Sequence, residues 1–548
     1  MDADNPGDGQ HIYQDESIVT NSSHSEPALP QNADDPPAQG RDDRATPLAV
    51  LLAAITFCLF ARVLRQSFVD WDDPLHVLDN PYLHPVNASH LAHFWTHAYC
   101  RLYVPVAYML FSGLAAVGKL NAPIVDNTNW ALSCSPVAFH AASLVFHIVN
   151  ALLVYALMLR IVKNSWAALA GALLFALHPM QVEAVAWISE LRGMLSATLA
   201  LGAVNLYYRA ILTSAGQSRT LRRMPYTAAL VLFTLALLSK PAVVALPLAI
   251  WAMDRWIFGQ RAADSLRRLA PWAVVCAPIA LLTSRLQPMP LGTAAPFWQR
   301  PFDALDAIGF YAVKFVCPVR LATDYGRTPH FVATHPICIA YVAIPVAIAL
   351  IVWRTRGTHQ VCVAATLVSV AMLLPVIGLT PFYFQIMSTV ADRYVYLAML
   401  GPAIIAAYLL AAKPCAKTGL PFALWILLLA LGASYQVRAW DNCETLYRNA
   451  ILSNPETFLM RYNYGNVLNR EGRYGEALEQ YRAAFERKPD YAEAYSGAGN
   501  ALVQMGRTSE ARGMYIKALR IAPHYDVALH NLAVVNDTLS LPPGSTKH

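Results

Sequence analysis
From residue 46 to residue 437 one long apolar stretch follows another, separated by short loops in which Lys and Arg collect. A bilayer core about 30 Å thick takes about 20 apolar residues to cross as a helix, and a helix satisfies its own backbone polar groups there. Stretches at about 47–63, 137–161, 166–177, 191–210, 225–239, 241–257, 271–286, 336–353, 360–377, 395–412 and 420–436 are predicted to cross. With 56% hydrophobic and 14% charged residues the chain is too apolar for a soluble protein of 548 residues. The formal charge of +6 is spread over inter-helix loops, so nucleic-acid binding is not indicated.

Basic residues orient the spans. Arg41 and Arg44 precede the first span, and Arg160, Lys163, Arg219, Arg222, Arg223, Arg261, Arg267, Arg268, Arg354, Arg356, Lys413 and Lys417 follow on the same side. That pattern puts the N-terminus in the cytoplasm, a large loop at 66–135 outside, and the C-terminal region outside after about 11 crossings. Two amphipathic or short apolar pieces, Leu102–Leu120 and 303–317 with Asp303, Asp306 and Lys314, are read as lying along the surface. The first span is read as an uncleaved targeting helix. Residues 1–45 are polar, rich in Asp, Ser, Pro and Gln, and expected to be disordered.

The C-terminal region keeps a 34-residue register. Pro455, Pro489 and Pro523 repeat at that step, as do Tyr447, Tyr481 and Tyr515, and Ala450, Ala484 and Ala518. Gly465 and Gly499, Asn466 and Asn500, Leu468 and Leu502, Gly472 and Gly506, Arg473 and Arg507, and Ala477 and Ala511 follow. This is the tetratricopeptide period, predicting helix pairs over 440–537 with a tail at 538–548. Such arrays bind peptides or proteins in a concave groove.

Val69-Asp70-Trp71-Asp72-Asp73-Pro74 opens the large outer loop. Asp72 and Asp73 are candidate catalytic carboxylates, the alternative being a solvated Asp-Asp-Pro turn. Ionisable residues at the predicted outer helix ends are further candidates, because charge at that depth is costly and usually pairs or lines a cavity: Glu183, Glu190, Arg192, Lys240, Arg285, Asp392 and Arg393. No Walker loop, dinucleotide glycine fingerprint, His-Glu-x-x-His or Gly-x-Ser-x-Gly occurs. Nine cysteines include no CxxC; Cys100 and Cys134 fall in one outer segment and could pair. His90, His93 and His97 share one helical face near His76 and His84, an arrangement that can bind zinc but more often lines an interface helix. No metal site is assigned. His140 and His147 are expected to make buried hydrogen bonds.

Several motifs occur in a telling order. Trp71-Asp72-Asp73, Asn80-Pro81-Tyr82-Leu83, Phe139-His140 with His147 and Asn150, and the run His178-Pro179-Met180-Gln181-Val182-Glu183 to Trp187-Ile188-Ser189-Glu190 come first. Ser239-Lys240-Pro241, Leu246-Pro247 and Ala391-Asp392-Arg393-Tyr394-Val395-Tyr396-Leu397 follow. Over about residues 50–537 the chain resembles bacterial relatives of the transmembrane and tetratricopeptide-repeat O-mannosyltransferases. The resemblance implies an all-α, polytopic fold of the GT-C type: a cytoplasmic N-terminus (1–45), a transmembrane glycosyltransferase domain (46–437) and the repeats.

It also implies transfer of a sugar, with inversion, from a polyprenyl-phosphate carrier to a protein or glycan hydroxyl on the extracytoplasmic face, here a periplasm bounded by a bacterial inner membrane. By resemblance, Asp72 or Asp73 is the base. Lys240, Arg393, Arg192 or Arg285 face the phosphate, Glu183 orients the acceptor or a phosphate-binding Arg, and Asp392 and Tyr394 belong to the same site. Two departures stand out: Leu191-Arg192-Gly193 where many relatives read Arg-Lys-Asp, and Tyr103-Val104-Pro105 without the Arg often found before that proline. GT-C enzymes differ in using a divalent cation, Mg or Mn, and both cases stay open. A membrane scaffold whose repeats recruit partners, and a lipid-linked sugar transporter, are the competing functional classes; the latter would favour hydropathy symmetry between halves, which is not seen.

Overall fold
A computed structural model describes residues 43–120, 134–212, 219–287, 294–413 and 415–540. The expectations for residues 1–42 and for the last eight residues lie outside this set. Among the described residues the structure is helical, with a single pair of bridged residues, Tyr99 and Leu102.

The chain begins with α1 (Ala45–Phe60) and a 3-10 turn to Arg65. The outer loop carries a π turn at Pro74–Leu78, α2 (Ala88–Thr96) and α3 (Pro105–Leu120). Next come α4 (Val137–Val162), α5 (Ser165–Leu177), α6 (Val182–Ala186), α7 (Leu191–Leu212), α8 (Arg219–Leu237) and α9 (Leu246–Trp256). After them lie α10 (Ala262–Leu286), α11 (Arg300–Val316), α12 (Pro329–Thr334), α13 (Ile337–Thr355), α14 (Gln360–Leu373), α15 (Leu400–Ala412) and α16 (Ala416–Arg438). Each predicted span therefore has its helix. Six are both long and apolar enough to cross a bilayer unaided, seven if the bent pair at 165–186 is one span, so the expected eleven is not reached by length and composition. α8 begins at Arg219, inside what the basic residues suggested was a loop.

α13 and α16 turn whole rows of apolar side chains outward, among them Leu350, Ile351, Leu420, Leu427 and Leu431, each more than half exposed. Contiguous apolar surface of this kind needs an apolar solvent, and it makes the chain an integral membrane protein. Where helices meet one another the seams are narrow. A Cβ on Gly171 of α5 would stand 2.6 Å from the Ala403 carbonyl of α15, and one on Gly401 would collide with the Ala365 carbonyl of α14. In lipid, where apolar burial gives no net drive, such close packing is what holds helices together.

At His178-Pro179 the chain bends by 52° and continues as a 3-10 turn, α6 and a second 3-10 turn, with every residue from Leu177 to Leu191 buried. Proline removes a backbone donor and breaks the helix. The freed backbone is tolerated because protein covers it on all sides.

The repeat helices are α17 (Cys443–Ser453), α18 (Phe458–Arg470), α19 (Tyr474–Arg487), α20 (Ala492–Gln504), α21 (Thr508–Ile521) and α22 (Asp526–Ser540). Starts at Phe458, Ala492 and Asp526 keep the 34-residue step. The register has a packing cause. The Tyr481 ring is flanked by Gly465 and Gly497, where added Cβ atoms would lie 2.7 and 2.6 Å from it, and its hydroxyl donates to Asn466 Oδ1 (2.7 Å). Tyr515 repeats the contact with Gly499 and Asn500 (2.7 Å). Gly499→Val should therefore overpack the second pair and cost about 1–3 kcal/mol, read as a lowered midpoint of thermal unfolding; an unchanged midpoint would mean that the ring does not close this seam.

Candidate active site
Asp72 and Asp73 are neighbours with opposite environments. Asp73 is fully buried: its Oδ2 accepts from the Val69 amide (3.0 Å), and its Oδ1 from the Ser189 amide (2.9 Å) and hydroxyl (2.5 Å). Burial pushes its carboxyl up to about 6 against the lowering effect of those bonds. The carboxylate thus staples the loop to the buried 178–190 segment. Asp72 is half-buried, and among the described residues no hydrogen bond or ion pair engages its side chain. Burial raises its pKa above the ordinary carboxylate value; Arg192 and Arg393 pull it back down and Glu190 pushes it up.

The buried segment supplies two more acids, each matched by a cation from a distant part of the chain. Glu183 Oε1 pairs with Arg393 Nη1 (2.6 Å), and Glu183 Oε2 accepts from the Arg393 amide (3.3 Å). The same guanidinium lies 4.3 Å from the Phe384 ring centre and 5.3 Å from that of Trp187. Glu190 pairs with Lys240, and Gly193 makes room for the contact, because a Cβ there would collide with Glu190 Oε1 and stand 3.1 Å from Lys240 Nζ. Asp392 accepts from the Tyr325 hydroxyl (2.7 Å). Glu190, Gly193, Lys240, Arg393, Tyr394 and Tyr396 line a cavity of about 50 Å³.

Arg192 differs from the other cations. Among the described residues it forms no ion pair; its Nη1 lies 3.2 Å from His76 Nε2, whose Nδ1 is 2.9 Å from the Tyr108 hydroxyl. A guanidinium can only donate, so Nε2 accepts and the ring proton sits on Nδ1. Burial and Arg192 hold the His76 pKa well below its ordinary value, which keeps the ring in that neutral form.

Seven of the ten sequence candidates converge in this way: Asp72, Glu183, Glu190, Arg192, Lys240, Arg393 and Tyr394. Asp73 and Asp392 brace them. Arg285 stands apart: it is exposed at the end of α10, and no hydrogen bond, ion pair or ring contact ties it to the group among the described residues. A charge at a helix tip does not reveal which way the tip faces. His76 and Tyr108 were not singled out for the site. Their signal was His76 four residues after Asp72, one helical turn on. The buried pair Asp306 and Arg327, with Arg327 Nε 3.1 Å from Asp306 Oδ2, was also missed on its basic side.

Cys100 and Cys134 are both free, so the pairing does not form. His147 is buried and hydrogen-bonded to the Tyr396 hydroxyl (2.8 Å) and the Ala176 carbonyl (3.0 Å). His140 is buried beside the Gln66–Ser67 backbone without a bond of ordinary geometry. On α2, His93 stacks on Tyr82 (3.8 Å) and on His97 (4.6 Å), so these imidazoles form an aromatic column. Among the described residues no three His, Cys, Asp or Glu side chains converge as metal ligands. The Asp73 oxygens already accept three donors and Asp72 faces arginines, so the donor set does not fit a resident divalent cation.

These environments separate the two acids experimentally. In Asp73→Asn an NH₂ must meet the Val69 amide or the Ser189 donors, costing about 1–3 kcal/mol for the orphaned bond. Asp72→Asn leaves no donor unpaired and should change stability by less than about 0.5 kcal/mol. Thermal unfolding of the two variants compares them directly, and equal losses would remove the distinction.

Comparison with known proteins agrees with the architecture. Family models described as TPR repeat and tetratricopeptide repeat match residues 465–506 and 492–525. Over 82% of its length the chain is 25% identical to the human protein named O-mannosyl-transferase TMTC1, covering 56% of that protein. Over 87% it is 22% identical to human O-mannosyl-transferase TMTC3, covering 55%. A 26% identical match to Drosophila melanogaster Tmtc3 covers 28% of the chain and 17% of the relative. The chain spans little more than half the length of the human relatives. Along most of its length the chain is thus similar to the O-mannosyl-transferases that carry those names, and it has tetratricopeptide repeats at its C-terminal end.

Proposed function
We propose that the chain is an integral-membrane glycosyltransferase that moves a sugar from a polyprenyl-phosphate donor to a hydroxyl, with Asp72 as general base. The observation that carries this reading is the contrast between the two acids: Asp73 is spent on the loop, while Asp72 is unbonded, half-open and next to Arg192. An alcohol is a weak nucleophile, and a carboxylate in reach can take its proton as the anomeric carbon is attacked. The C1–O bond to the lipid phosphate breaks as the new glycosidic bond forms, and the departing phosphate gains negative charge that fixed cations stabilise.

Arg192 is the cation best placed for that phosphate, because Lys240 and Arg393 are already neutralised by Glu190 and Glu183. A guanidinium also suits a phosphate by bidentate donation. His76, held neutral, accepts from Arg192 and fixes its direction. No step is assigned to a divalent ion, since the residues do not fit one. Mannose is the sugar that the names of the relatives suggest. A polypeptide Ser or Thr is the proposed acceptor, supported by a repeat array of the kind that holds peptides. The site is assigned to the periplasmic face of a bacterial inner membrane, with the basic helix ends, such as Arg160 and Arg354, in the cytoplasm.

Asp72→Asn should lower transfer of mannose from polyprenyl-phosphate mannose to a Ser/Thr peptide by at least about a hundredfold, within the span typical of general bases, while the chain stays folded. Retained transfer would remove the assignment, and a cellular phenotype that survives the substitution would favour a scaffold.

The pH profile gives a second test. Ionised Asp72 is the active form, so kcat falls as pH drops through its pKa, which lies above the ordinary carboxylate value of about 3.9. Arg192 favours the ionised form, so Arg192→Gln should move the acid limb of kcat to higher pH. A limb that stays put or moves down would show that the two groups are not coupled.

A further inference from the structure
Asp70 stands two residues before Asp72, and the repeat array engages each of its polar groups. Its amide donates to Cys443 Sγ (3.2 Å), its carbonyl accepts from the Tyr447 hydroxyl, and its carboxylate pairs with Arg470. Just upstream the Ser67 amide donates to the Asp441 carbonyl (3.1 Å), and Gln66 Nε2 to the Val437 carbonyl (2.7 Å). Trp71 packs against both the membrane core and the core of the repeats. From the other side Asp73 is tied to Ser189. Asp72 therefore sits in a short bridge between two clamps, one of which is the array.

The array also holds the opposite flank of the site. Thr457 Oγ1 donates to Asp324 Oδ2 (2.7 Å), and Asn449 Nδ2 to the Leu321 carbonyl (3.2 Å). The next residue, Tyr325, donates to Asp392 beside Arg393. A module that served only to fetch acceptors would not need to grip both flanks of the cluster.

We propose that the first helices of the repeat array, α17 and α18, are part of the catalytic apparatus. Arg470, Tyr447 and Cys443 are positioning residues that fix Asp72 through Asp70, whether or not anything occupies the groove. The inference rests on Asp72 being the base. It predicts that the array matters even for an acceptor too short to use it.

The test uses the full chain in lipid nanodiscs, with polyprenyl-phosphate mannose as donor. Acceptors are a Ser/Thr hexapeptide and a long unfolded polypeptide. Arg470→Glu sets two acids against each other and should lower kcat on both acceptors by about tenfold or more, as small misplacements of a reacting group do, with KM for the hexapeptide within about twofold. Amides of Val69–Asp73 should exchange faster, with those of α4 unchanged. Tyr447→Phe, a milder change, should move both readouts the same way. The swap Asp70→Arg with Arg470→Asp should restore part of kcat. Arg507→Ala, which breaks an exposed pair with Glu510 in the second repeat, should change neither.

Normal kcat on the hexapeptide with a raised KM for the polypeptide alone would overturn the inference and leave the array a recruiting module. Unchanged exchange of Val69–Asp73 would overturn it without reference to turnover. Full activity in Asp72→Asn is a different failure, that of the base assignment. An inactive Asp72→Asn beside a normal Arg470→Glu would sink the positioning claim alone.

Discussion
Two buried carboxylates on one short, fully covered segment set the terms for the rest of the fold. Glu183 and Glu190 sit between α5 and α7, where an unpaired charge would cost several kcal/mol. Arg393 and Lys240 answer them from segments 210 and 50 residues away. The pairs draw the turn after α8 and the turn before α15 onto the broken span. The same 178–190 segment supplies Ser189 to Asp73, so the outer loop is fastened to the same place. Buried ion pairs are weak evidence for stability, because a matched apolar set can do as well. Here they bring charge of both signs into one place beside a carboxylate that is left free.

That arrangement shapes the chemistry. Three cations and three carboxylates gather in this cluster, yet they are not equivalent. Two pairs are closed and fix geometry. Arg192 and Asp72 keep their bonding capacity toward each other and toward whatever enters. A neutral histidine lends Arg192 direction without competing for its charge. A site that kept every charge paired would have nothing to offer a phosphate, and one that left every charge open could not be buried.

Much of this was legible in the residues. The 34-step register translated directly into helix starts, because the Tyr481 and Tyr515 rings each need a Gly opposite them. The apolar stretches located their helices, although length alone did not separate true crossings from buried or short ones. The opening Asp-Asp pair could not reveal the different environments of its two members, since identical neighbours differ only in what folds against them. Ser189 meets Asp73 across 116 positions and Arg470 meets Asp70 across 400, separations at which spacing carries no information. Arg285 shares its placement at a helix tip with Arg192 and Arg393, and only packing shows which tips face inward.

The buried segment also has a consequence for how the protein is made. Synthesis runs from the N-terminus, so Glu183 and Glu190 enter the membrane well before Lys240 and long before Arg393 exists. Until then at least one acid has no partner in an apolar surrounding. The nascent helices up to α7 must wait, loosely associated or attended by the insertion machinery, for a residue encoded 210 codons after Glu183. Assembly of the bundle is therefore a late event, and a chain cut short between α9 and α15 would leave a membrane-embedded carboxylate stranded, marking it for quality control.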